Sequence, residues 1–91
     1  MIRLNCFIDV KEENRTAVLE AAKTLTAASL EQEGCVAYDI FESATRHNVL
    51  MFCETWKDKK ALEVHSNSQV FHDQVKIIQD LAKMKLESFE F

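Results

Sequence analysis

The chain contains a single glycine, Gly34, and no proline. That glycine directly follows the longest helical pattern in the sequence, where a left-handed residue stops a helix, and alanine there would meet the steric cost that glycine avoids. The residues after it are just as constraining. Gly34-Cys35-Val36-Ala37-Tyr38-Asp39 leads through the polar stretch Ser43 to His47 into Glu54-Thr55-Trp56-Lys57-Asp58, and then to Ala61-Leu62, His65, Ser68 and Phe71. The order is a helix stop, a strand pair, and a short helix presenting an inward histidine near a tryptophan.

The flanking segments complete the pattern. From Ile2 to Val10 the residues Ile2, Leu4, Cys6, Ile8 and Val10 alternate with Arg3, Asn5, Phe7 and Asp9, the period of two that marks a strand with one face buried. Glu12 to Glu33 carries Val18, Ala21, Ala22, Leu25, Ala28 and Ser29 at helical spacing, with Glu12 and Glu13 in the first turn where the helix dipole favours acids. Cys35 to Glu42 and Asn48 to Trp56 are rich in β-branched and aromatic residues and read as an antiparallel hairpin. Asp58 suits a helix N-cap, followed by Ala61, Leu62 and His65 on one face. Ser66 or Ser68 caps a further helix with Phe71, Val75, Ile78 and Ala82 on its apolar stripe, and Lys85 to Phe91 alternates as a last strand.

This strand-helix-strand-strand-helix-strand order gives an α+β, ferredoxin-like βαββαβ domain over residues 1–91, with helices covering one face of a four-stranded antiparallel sheet. Both faces of the strands carry large apolar residues: Val49, Met51 and Cys53 on one side of the third strand, Leu50, Phe52 and Trp56 on the other. Helices are available for only one face. The expected cover for the other is a second copy, packed sheet against sheet as a homodimer.

Composition excludes several classes of function. With 47% hydrophobic and 29% charged residues the chain is globular, and neither a membrane-spanning run nor an export signal is evident, so a cytoplasmic location is expected. A net charge of −4, with cations scattered among acids, argues against nucleic-acid or membrane-surface partners. One glycine rules out a glycine-rich phosphate loop. Cys6, Cys35 and Cys53 show no metal or redox spacing and read as reduced core thiols. His47, His65 and His72 lie in separate segments without carboxylates at ligand spacing, so no metal site is expected.

Five polar or aromatic positions carry the chemical reading. His65, with an ordinary pKa of about 6.5, is suited to take a proton from an acidic phenol, or serves only to satisfy a neighbouring backbone group. Trp56 is either core with its N–H paired or one wall of an aromatic pocket. Asn5, if it lies on the helix side of the sheet, would point into a cavity and orient a substrate oxygen. Tyr38 either lines that cavity or keeps its hydroxyl in water, and Glu54 either lines it or pairs with a surface lysine. His72, on the flank of the last helix, reads as a surface residue.

Taken together, these segments resemble the antibiotic biosynthesis monooxygenase family. The resemblance rests on Glu33-Gly34-Cys35 into Tyr38-Asp39, Glu54-Thr55-Trp56-Lys57-Asp58, Ala61-Leu62, His65 and Ser68-x-x-Phe71, and covers nearly the whole chain. It implies a dimeric α+β barrel with a pocket in each protomer, and a cofactor-independent monooxygenase that oxidises a quinol or polycyclic phenol with O2, using no flavin or metal. His65, Asn5 and Trp56 are the implied catalytic positions, and Tyr38, Phe71, Glu54 and Phe52 the implied substrate wall. Related branches degrade haem, where the position of the axial histidine falls on Val75 here, or isomerise small phosphorylated compounds. A non-catalytic ligand-binding dimer is the remaining alternative.

Overall fold

The computed structural model describes the whole chain, Met1–Phe91. Its elements are β1 (Ile2–Val10), α1 (Glu12–Leu30), β2 (Cys35–Glu42), β3 (Val49–Trp56), α2 (Lys59–Ser66), α3 (Gln69–Leu81) and β4 (Ala82–Glu90). The strands form one antiparallel sheet in the order β2-β3-β1-β4, the ferredoxin-like arrangement. No helix is long and apolar enough to cross a membrane.

The alternation in β1 sets the inside of the molecule. Ile2, Leu4, Cys6, Ile8 and Val10 are all buried, and register carries the same face onto Leu50, Phe52, Glu54 and Trp56 of β3. Val18, Ala21, Ala22, Leu25 and Ser29 of α1 close over this face. Small alanines let the helix lie close to the sheet, and the Ser29 hydroxyl is satisfied by donating to the Leu25 carbonyl at 2.6 Å. Asp58 caps α2 by accepting from the Ala61 N–H at 2.9 Å, and Ser68 caps α3 by accepting from the Phe71 N–H at 3.3 Å.

Two boundaries differ from the sequence reading by three residues, and the start of β3 and the end of β4 by one. Helix α1 ends at Leu30 and the chain passes through turns to Gly34, because the last-turn bonds from Glu31 to Ala28 and Gln32 to Ser29 tighten the helix end. Ala82, expected on the stripe of the last helix, opens β4, which therefore starts three residues before the expected Lys85. The Leu81 carbonyl left behind accepts from the Asn14 amide of α1 at 3.2 Å, which stops α3 there.

Gly34 adopts φ +84°, and its carbonyl accepts from the Lys57 N–H at 2.8 Å, tying the turn to the end of β3. A side chain at Gly34 would also collide with the Ala61 Cβ, so the glycine is required twice, for its backbone angle and for the close approach of α2.

Gly34→Ala should therefore cost about 2–4 kcal/mol, the left-handed conformation and the overpacking each contributing. Urea unfolding of Gly34→Ala and of Gly34→Ala/Ala61→Gly checks this, the second change recovering only the collision part. An unchanged midpoint in the single variant would show that the approach is not tight.

Candidate active site

Strand β3 brings a carboxylate into the core. The period of two that buries Leu50 and Phe52 also turns Glu54 and Trp56 inward, leaving Glu54 5% exposed. A buried carboxylate needs a partner. The Trp56 indole N–H donates to Glu54 Oε1 at 2.8 Å, and Tyr38 stands opposite Glu54 on the β2–β3 ladder.

Helix α2 brings the imidazole. His65 follows Ala61 by one turn on the buried face and is 1% exposed. Its Nδ1–H donates to Gln32 Oε1 at 2.7 Å, whereas Nε2 has no hydrogen-bond partner and lies 4.0 Å from Glu54 Oε1. Aromatic rings surround it, with centroids at 4.4 Å for Trp56, 5.1 Å for Phe71 and 5.5 Å for Tyr38.

These groups border a cavity of about 310 Å³ between the inner sheet face and α2 and α3. Ile78 is the only fully buried residue of α3, with Phe71 and Val75 half-buried on the cavity wall together with Leu4, Cys6 and Met84. The polar end is formed by Glu54, His65 and Tyr38, and the exposed Gln79 and Leu86 mark its solvent side. The volume falls at the lower end of small-molecule sites, matching one or two fused rings.

Burial moves both titrating groups toward neutrality of charge. Desolvation pushes the Glu54 carboxyl up to about 7, against the lowering effect of the Trp56 hydrogen bond. Desolvation pushes the His65 imidazole down to about 4. At neutral pH the imidazole is uncharged, and at 4.0 Å the two groups form neither an ion pair nor a hydrogen bond. Burial, then the Glu54 charge, also raises the Tyr38 phenol above its ordinary value, so it stays a donor.

The structure brings together most of the positions singled out from sequence. His65, Glu54, Tyr38, Phe71 and Phe52 all line the cavity. Trp56 does not. It lies fully buried behind Glu54 and acts through its N–H rather than as a wall. Tyr38 is 5% exposed, a core residue and not a half-buried one, and Glu54 pairs with no lysine. Asn5 is displaced from the group altogether. Strand alternation places it opposite in direction to Leu4 and Cys6, on the face without helices, where its Oδ1 accepts from Arg3 Nε at 3.3 Å. The sheet separates it from His65. His72 is exposed on α3 and outside this cavity, while Val75, the position of the haem-branch ligand, lines it. Gln32, which fixes the imidazole, was not among the sequence candidates, since a polar residue between Glu31 and Glu33 at a helix end carries no signal of burial.

Comparison with known proteins adds independent findings. The family model described as antibiotic biosynthesis monooxygenase matches residues 1–76. The Bacillus subtilis (strain 168) protein named "Putative monooxygenase YcnE" is 37% identical over 71 residues, 78% of this chain and 75% of that protein. Among solved structures, a conserved protein of unknown function from Bacteroides thetaiotaomicron VPI-5482, described as a possible oxidoreductase, superposes with a TM-score of 0.97 at 57% identity, covering 99% of this chain and 96% of that one. A point mutant of SnoaB, a cofactor-independent oxygenase from Streptomyces nogalater, shares the fold, with a TM-score of 0.88 at 13% identity over 99% of this chain and 91% of that one.

The two shifted groups have opposite effects on stability. Glu54 holds its proton more tightly when folded, so its contribution is present below 4.5 and lost as pH rises through about 7. His65 holds its proton less tightly when folded, so its contribution is present above 6.5 and lost as pH falls through about 4. Between pH 4.5 and 6.5 the slopes oppose each other. Glu54→Gln should expose a rise in stability from pH 4 to 6.5, and His65→Gln a fall from pH 4.5 to 7, each by up to about 3 kcal/mol. Urea titrations across this range check the signs, and flat profiles in both variants would contradict the burial described.

Proposed function

The chain belongs to the antibiotic biosynthesis monooxygenase family, and from that membership we propose that it oxidises a quinol or related phenol with O2, without flavin or metal. The observation that supports this most is the unpartnered imidazole nitrogen facing a buried carboxylate, with a pKa of about 7, across one end of an apolar cavity. A carboxylate poised near the working pH is matched to proton abstraction. Glu54 accepts the phenolic proton, and His65, too weakly basic at about 4 to compete for it, hydrogen-bonds the substrate. The anion so formed is the reductant. One quinol and one O2 give one hydroxylated quinone and one water, all four electrons coming from the substrate.

The protein's part is to hold the ring, remove the proton and keep water from the reactive anion. Tyr38, Phe52 and Phe71 supply the aromatic walls.

The second part of the proposal is a homodimer through the sheet face without helices. Phe7, Phe41, Val49, Met51 and Phe89 share that face by register, with Phe41 49% and Phe89 52% exposed. Apolar residues gathered on one open sheet face call for a cover, and a second copy presents the matching surface.

Oxygen consumption by metal-free protein with a panel of hydroquinones and anthrones tests the reaction. Saturable uptake is expected, reduced about 100-fold by Glu54→Gln and more than about tenfold by His65→Ala. No uptake with any member of the panel would overturn the oxygenase reading. Met51→Lys should shift the protein to monomer in sedimentation velocity; a wild-type monomer would remove the dimer.

A further inference from the structure

Two polar atoms at the end of the cavity have hydrogen-bonding capacity to spare. Only Thr26 Oγ1 and His65 Nε2 are both unpartnered and sealed from solvent. Glu54 Oε2 and the Tyr38 hydroxyl also make no hydrogen bond, but they keep accessible surface, and both residues line the cavity. Each is held in place. The Trp56 N–H ties Oε1 at 2.8 Å and leaves Oε2 free, while the Tyr38 ring packs edge-on against Phe52 and Trp56 with centroids at 5.6 and 6.2 Å. Because Tyr38 and Glu54 are directly opposed on the β2–β3 ladder, the phenol and the carboxylate address the same space.

The two atoms differ in what they offer. Oε2 of the ionised carboxylate only accepts, and the Tyr38 hydroxyl, kept protonated by burial, donates. With a pKa of about 7, Glu54 can take a proton and give it back at neutral pH. The other titratable groups around it, Cys6 of β1, Cys35 of β2 and His65 of α2, are all shifted so as to stay uncharged there. A base beside a donor fits a carbonyl compound. The donor meets the oxygen on which negative charge develops, and the base meets the adjacent carbon that loses its proton.

We propose that Glu54 and Tyr38 are a catalytic pair for keto–enol tautomerisation of cyclic ketones of one or two fused rings, an activity in which O2 takes no part. Glu54 Oε2 removes a proton from the carbon next to the carbonyl. The C–H electron pair becomes the C=C bond, and the oxygen takes up negative charge while accepting from Tyr38. The proton then passes from Glu54 to that oxygen, giving the enol, or returns to carbon. No electrons are gained or lost, so this activity goes beyond the oxidation and does not rest on it.

The test uses 2-tetralone, a ketone of two fused rings, in D2O under argon, with hydrogen exchange at the α-carbons followed by NMR. The wild type should exchange them saturably, at least about 100-fold faster than buffer, and faster as pH rises through about 7 and Glu54 ionises. Glu54→Gln and Tyr38→Phe, both close in shape to the residues they replace, should each slow exchange about 100-fold. Wild-type exchange at the buffer rate, or an unslowed rate in either variant, would overturn the proposal. A second measurement is calorimetric titration with 2-naphthol, which has the shape of the enol. It should bind at least about tenfold more tightly than 2-tetralone; equal affinities in the wild type would also overturn the pair, even where the variants fail to fold. Since both readouts exclude oxygen, exchange without oxygen uptake would remove the oxidation alone, and uptake without exchange would remove this activity alone.

Discussion

The contact between Gly34 and Ala61 is the constraint on which the site depends. A residue with no side chain lets α2 sit directly against the turn that ends α1, and the left-handed angle at the same residue sends the chain into β2. Everything polar in the cavity is delivered through this junction. Gln32 comes from two residues before it, His65 from one turn beyond Ala61, and Trp56 from the strand end next to Lys57, whose N–H bonds the Gly34 carbonyl. Moving α2 outward by the width of a methyl group would break the 2.7 Å bond between Gln32 and His65 before it disturbed the hydrophobic core.

The cluster so assembled is unfavourable for folding taken alone. It places a carboxylate and an imidazole where desolvation opposes charge on either, and leaves Nε2 without a partner, an omission worth about 1–3 kcal/mol. The Trp56 N–H on Glu54 offsets part of this cost, and the surrounding aromatic packing of Trp56, Tyr38, Phe52 and Phe71 offsets more. Local conflicts of this kind gather where a chain is shaped to bind something.

Sequence reasoning reached the framework because each element states its own period. The alternation from Ile2 to Val10, the spacing from Val18 to Ser29, and the caps at Asp58 and Ser68 all appear as read. Ala82 was read as helical because it continues the stripe of Val75 and Ile78, although it also alternates with Met84 and Leu86; the Asn14 amide on the Leu81 carbonyl closes the helix before it. His65 was found because a spacing of four from Ala61 fixes its face. Asn5 was misplaced although its own strand gave the answer, for its alternation partners Arg3, Phe7 and Asp9 are the residues facing away from the helices. Glu54 was undervalued although the period of two through Leu50, Phe52 and Trp56 turns it inward, because a carboxylate is ordinarily a surface residue, and Gln32 was missed because contact with a residue 33 positions away leaves no local trace.

Cys6 occupies an inner position of β1 and forms part of the cavity wall. Burial, together with the charge of Glu54, raises its thiol to about 11. Peroxides attack thiolates and hardly touch thiols. Burial, aided by the neighbouring Glu54 charge, thus holds this sulfur in its unreactive form. If the proposed oxidation takes place beside it, such a wall would withstand the reduced oxygen species formed there.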